Sequence, residues 1–104
     1  MGNRESKYLN PEPRTPHPPP MPRSVLLRHD LPDGSWHYDW LIDALDKGGQ
    51  DDRSLITFRL AERPDGARHT FDATRLPDHR RLYLAFEGEL SEHRGTITKI
   101  EEWP

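Results

Sequence analysis

Between residues 36 and 42 a large apolar side chain recurs at every second position, and nowhere does an apolar stripe repeat with the period of a helix. On an extended strand Trp36, Tyr38, Trp40 and Ile42 share one face, and His37, Asp39, Leu41 and Asp43 share the other. Three aromatics at strand spacing read as the core side, which leaves the His37 and Asp39 side to solvent or to a ligand. Other runs of strand length are residues 24–28, 54–60, 68–74, 80–86 and 96–103. Turn chemistry separates them: the loop 47–52, Pro64-Asp65-Gly66, the break at Pro77-Asp78, and a hairpin bracketed by Gly88 and Gly95. Residues 43–47 make a helical turn at most. Five or six short strands predict a mainly β domain over residues 24–104, a small antiparallel β-barrel or sandwich.

The first 23 residues do not fit this pattern. They hold seven of the eleven prolines, with Pro18-Pro19-Pro20 in a row, and show no apolar periodicity. Such a segment buries too little surface to offset the entropy of ordering it, so a disordered proline-rich leader is expected. It serves either as a polyproline II ligand for an SH3-like partner or as a plain tail. It has no apolar h-region, and Glu5 and Glu12 interrupt its basic residues, so it does not read as a secretory signal. No run reaches the length of a membrane span. The absence of cysteine removes disulfides and thiolate metal sites. A monomer in the cytoplasm, with no membrane association, is the expectation.

Charge narrows the partners. Residues 24–104 carry eleven basic and sixteen acidic side chains, a net charge of −5. That is not the footprint of a binder of long duplex DNA. A nucleic-acid role must rest on a local site, one in which a bound metal offsets the carboxylates.

His37-x-Asp39 is the motif that carries chemistry. Two residues apart on a strand, an imidazole and a carboxylate project from the same side and can hold a borderline divalent metal if a third ligand arrives from elsewhere. His29 ends the preceding strand, and the short connection 30–35 brings it alongside. Spacing alone favours a solvated strand face with a simple His–Asp hydrogen bond.

Several segments together resemble a known family. They are Arg28-His29-Asp30, Trp36-His37-Tyr38-Asp39-Trp40, His79 through Tyr83 to Phe86-Glu87-Gly88, and Arg94-Gly95-Thr96 with Trp103. In order and spacing they resemble the 3′-phosphoesterase module of bacterial DNA ligase D, over residues 25–103. The resemblance implies a β-barrel with its site in a surface crescent. It implies a metal, Mn2+, held by His29, His37 and Asp39, and contact of His79 and Tyr83 with the scissile phosphate. These two lie at i and i+4 and share a face if residues 79–83 are extended. The implied substrates are 3′-phosphates or 3′-terminal ribonucleotides on DNA ends, with DNA repair proteins as partners. The chain departs from the family at Leu41, where the family places a phosphate-clamping arginine; Asp43 retains the acid two residues further on. Arg59, Arg63 and Arg75 are the candidate substrate-binding residues by proximity.

Two other classes remain open at this level. His37-x-Asp39 with His79 or His93 outlines the two-histidine, one-carboxylate site of a non-haem iron oxygenase, although the chain is short for a double-sheet jelly roll. A barrel without its arginine clamp also fits a non-catalytic protein that binds a metal, a nucleic-acid end or a protein partner.

Overall fold

The computed structural model describes residues 23–66 and 70–104. Among them run six strands: β1 (Arg23–Asp30), β2 (Trp36–Asp43), β3 (Arg53–Leu60), β4 (Ala73–Arg80), β5 (Gly88–Glu89) and β6 (Thr96–Trp103). They form one antiparallel sheet in the order β4-β3-β2-β1-β6-β5. The mainly β, antiparallel architecture is the expected one. The edge strands β4 and β5 do not pair with each other, so the sheet is not closed. Arg23 opens β1 instead of ending the leader. The disordered proline-rich leader expected over residues 1–23 otherwise lies outside the described residues, as does His69. Among the described residues no helix is long and apolar enough to cross a membrane.

The core lies on the face that alternation alone assigned to solvent. Val25, Leu27, Leu41, Leu55, Leu84 and Ile97 form the buried cluster, with Tyr83, Phe86 and Leu90 packed against it. Leu41 is 0% exposed and stands between buried Asp39 and buried Asp43 on β2. Trp36, on the other face, is 43% exposed, and Tyr38 and Trp40 are half-buried. A single strand's alternation separates two faces without saying which one meets the core; the neighbours decide. Val25 and Leu27 pair with Leu41 and Asp39, which commits that side of the sheet to the interior. The aromatic face has its own smaller apolar layer. Leu26, Trp40 and Phe58 stand in one cross-strand row, beside buried Leu60. Arg63, beyond the end of β3, reaches over β2 and β1 to Glu101 of β6.

Two expected elements are replaced. The return strand begins at Ala73 and runs through Pro77-Asp78, which does not break it. Proline is tolerated there because β4 is an edge strand and its register with β3 shifts at this point, the two settings in which a sheet accepts a missing donor. Residues 80–86 are not a strand. Arg81–Leu84 form a 3-10 helix whose first amides donate to loop carbonyls, Arg81 N to Asp52 O and Leu82 N to Gln50 O, both at 2.9 Å. The alternation of Leu82, Leu84 and Phe86 is too short to distinguish a strand from a tight turn that buries Leu84.

Candidate metal centre

His29 and His37 face each other in register across β1 and β2, with ring centroids 5.0 Å apart. The tight connection between the strands sets this register. Leu31 N donates to Ser35 O at 2.8 Å, Gly34 takes a φ of +90°, and the Asp33 carboxylate accepts from the Ser35 amide and hydroxyl. Asp39 follows two residues on, nearly buried. His37 Nε2 lies 3.4 Å from Asp39 Oδ1, and His29 Nδ1 lies 4.0 Å from Asp39 Oδ2. One donor atom from each of the three residues falls within 4.8 Å of the other two.

Two observations show that these residues fit a cation. His29 Nε2 lies 2.7 Å from the Arg94 carbonyl oxygen, which can only accept. The ring proton therefore sits on Nε2, and the Nδ1 lone pair is left for the cluster, the arrangement by which metal-bound histidines are held. In addition His37 Nε2 and Asp39 Oδ1 are buried with no hydrogen-bond partner. Buried polar atoms are rarely left unsatisfied, and a cation between them would satisfy both. Metal–ligand bonds of about 2.1 Å require neighbouring ligands roughly 3 to 3.5 Å apart, so only small adjustments are needed.

Electrostatics favours the neutral, ligating form of His37. Burial is the main force holding its pKa below the ordinary 6.5, with Arg59 and His29 adding to it and Asp39 opposing. Gly95 closes the site from the other side. It takes a φ of +107°, and a Cβ there would strike the Asp30 carbonyl and come within 3.2 Å of His29 Nε2. Only glycine lets the 94–95 backbone lie against His29.

Beside the triad opens a crevice of about 250 Å3, lined by His29, Asp39, His79 and Tyr83 together with three arginines. The His79 and Tyr83 rings are 5.9 Å apart. Their proximity does not come from a shared strand face: His79 ends β4 and Tyr83 lies on the 3-10 helix that follows. His79 Nδ1 is 2.9 Å from the Pro77 carbonyl oxygen and donates to it, which leaves Nε2 with its lone pair. A larger hollow, about 480 Å3 between the loops 30–32 and 89–96, has Asp30, Glu89 and Glu92 as its acidic lining and holds none of the triad.

Of the candidate substrate-binding arginines, Arg59 pairs with Asp39 across β2 and β3 and acts on His37. Arg63 is held by Asp65 and Glu101, away from the crevice. Arg75 lies over the Phe58 ring, its guanidinium bonded to Asp78. Neither Arg63 nor Arg75 lines the crevice; Arg53, Arg80 and Arg94 do. Arg80 adjoins His79 and Arg94 lies in the resembling Arg94-Gly95-Thr96 segment, but Arg53 joins them only because the crevice is assembled from β3, β4 and the loop before β6. His93 stands exposed in that loop at a φ of +55°, and the residue that converges with His37 and Asp39 is His29, not His79 or His93. Comparison of the chain with protein-family models, with curated proteins and with solved structures finds no match.

Proposed function

We propose that this chain is a metal-dependent phosphoesterase-like protein that acts on DNA 3′ ends in the cytoplasm, removing a 3′-phosphate or a 3′-ribonucleotide before ligation. One observation carries the reading: donor atoms of His29, His37 and Asp39, two of them (His37 Nε2 and Asp39 Oδ1) buried without a hydrogen-bond partner, converge at the edge of a crevice that also presents His79 and Tyr83. A divalent cation such as Mn2+ held there would supply Lewis-acid polarisation of a phosphoryl oxygen. His79 is poised for proton transfer. With Nδ1–H committed to Pro77, its Nε2 can take a proton from the attacking water and then, as imidazolium, give it to the departing 3′ oxygen. The Tyr83 phenol can donate a hydrogen bond to a phosphate oxygen. Recognition is confined to the end of the strand, which suits a domain whose net charge is too negative to hold a long duplex.

Metal binding is tested first. Mn2+ should broaden the His29 and His37 ring resonances at sub-stoichiometric concentration, and Asp39→Asn should weaken this by at least about tenfold. Broadening spread evenly over surface carboxylates would remove the centre. For activity, a primer–template with a labelled 3′-phosphate should be converted to a 3′-hydroxyl in Mn2+, and EDTA should abolish the conversion. His79→Ala should slow it roughly 100-fold or more.

A second reading, a non-catalytic protein that binds metal, an end or a repair partner, draws on Leu41. Leucine offers a phosphate no hydrogen bond where the resembled family has an arginine. Metal-dependent broadening with a labelled 3′-phosphate left untouched would select it.

A further inference from the structure

Arg53 and Arg80 are paired directly across β3 and β4. Like charges at opposed positions of an antiparallel ladder repel, and a sheet normally avoids them. The one carboxylate among the described residues that meets either of them is Asp51, on Arg80. Among the described residues Arg53 has no ion pair and no hydrogen bond through its side chain. Arg80 has Asp51 as its one ion pair, at 3.3 Å with that carboxylate 90% exposed, and its guanidinium lies 5.8 Å from the centre of the Tyr83 ring. Such a surface ion pair is worth little. Both arginines line the crevice beside the triad, and Arg94, which lines it as well, spends its guanidinium on the Ser91 carbonyl and hydroxyl oxygens. Asp39 is the only acid of that lining. Three guanidiniums against one carboxylate therefore gather in a domain whose overall charge is negative.

We infer that Arg53 and Arg80 form an anion clamp for the crevice, and that it selects a terminal phosphate monoester over an internal phosphodiester. A guanidinium offers a planar fork that matches two phosphate oxygens, and two forks from adjacent strands match a group with three free oxygens. A terminal phosphate carries close to two negative charges at neutral pH and an internal diester one, so the doubled cation favours the former. The clamp stands where Leu41, sealed in the core, cannot reach. Of the two trimming reactions proposed above, removal of a 3′-phosphate is then the one this crevice serves. The inference rests on the phosphoesterase reading for the identity of the ligand. It does not rest on the metal.

The test uses full-length protein freed of metal with EDTA and inorganic phosphate as the probe. Phosphate should shift the His79 ring and the Arg53 and Arg80 side-chain resonances saturably. Methyl phosphate should bind comparably and dimethyl phosphate about tenfold or more weakly. Arg53→Met should lower phosphate affinity roughly 10- to 100-fold, the loss expected for a charge-assisted hydrogen-bonded contact. Arg53→Lys, which keeps the charge without the fork, should fall between. Lys47→Met, an exposed charge on a loop, should bind as the parent does. Because Arg53 is exposed and its removal relieves a repulsion, the variant should retain the parent's amide spectrum away from the crevice. Wild-type affinity in both Arg53→Met and Arg80→Met would overturn the clamp, and so would equal binding of monoester and diester. Failure of the metal centre reads out separately, as absence of Mn2+ broadening at His29 and His37.

Discussion

Arg81→Met should lower the stability of this domain by about 3 to 5 kcal/mol, the cost of stranding a buried carboxylate. Asp43 is 0% exposed, and both its oxygens accept from Arg81, whose side chain is itself only 10% exposed. The Asp46 amide donates to Oδ1 at 3.0 Å, while Arg23 Nε, at the start of β1, stands 3.9 Å from Oδ2. Methionine keeps most of the arginine's apolar stem and removes both hydrogen bonds. Domains are stable by about 0.05 to 0.15 kcal/mol per residue, so a loss of this size removes much of what holds some eighty residues together. Urea unfolding should show the midpoint falling sharply with little change in slope. Asp43→Asn should cost less, because the neutral amide leaves no buried charge.

The acid limb of stability supplies the sign. The Arg81 hydrogen bonds hold the Asp43 carboxyl below its ordinary 3.8, helped by the Asp46 amide and by the charges of Arg81 and Arg23, against burial, which raises it. A carboxyl depressed in the folded state contributes stability that is fully present above the unfolded value. That stability is lost as pH falls through the lower folded value. The parent should therefore weaken below about pH 4. In Arg81→Met the stranded carboxyl prefers to be protonated, so this part of the acid dependence should vanish or reverse. Equal acid slopes in the two proteins would mean that Arg81 does not hold Asp43 charged. The pair also matters to the site. Arg81 begins the turn that carries Tyr83, so releasing it should loosen the His79–Tyr83 side of the crevice before the triad is touched.

Strand positions were largely legible because they depend on local alternation and on turn residues, and both are written in consecutive positions. The facing of β2 was not. Its aromatic side looks more apolar in isolation, and only Val25, Leu27, Leu55 and Ile97 on other strands turn Leu41 inwards. The triad was legible because His37 and Asp39 share a strand and His29 lies one tight connection away. The pair of Asp43 and Arg81, 38 residues apart, left no local mark. Arg53 escaped notice for the same reason. Arg53 acquires meaning only when β4 brings Arg80 opposite it.

The resemblance invites one substitution, Leu41→Arg, to restore the missing clamp. The structure argues that it should do harm. Leu41 is buried among Val25, Leu27, Leu55 and Leu84, so the larger side chain must overpack this cluster and bring a charge into it. Overpacking alone typically costs about 1 to 3 kcal/mol, and a poorly paired buried charge adds several more. Its nearest acids on the same strand face are Asp43, already bonded twice to Arg81, and Asp39. An arginine relieved by Asp39 would draw that carboxylate from His37. The expected result is a loss of about 3 kcal/mol or more in urea unfolding, weaker Mn2+ broadening at His29 and His37, and no gain in phosphate release. Leu41→Met, which nearly conserves volume, should cost less than about 1.5 kcal/mol and leave metal binding unchanged. Should Leu41→Arg instead fold as well as the parent and release the 3′-phosphate faster, the clamp belongs on β2. Arg53 and Arg80 would then be only two surface charges that happen to face each other.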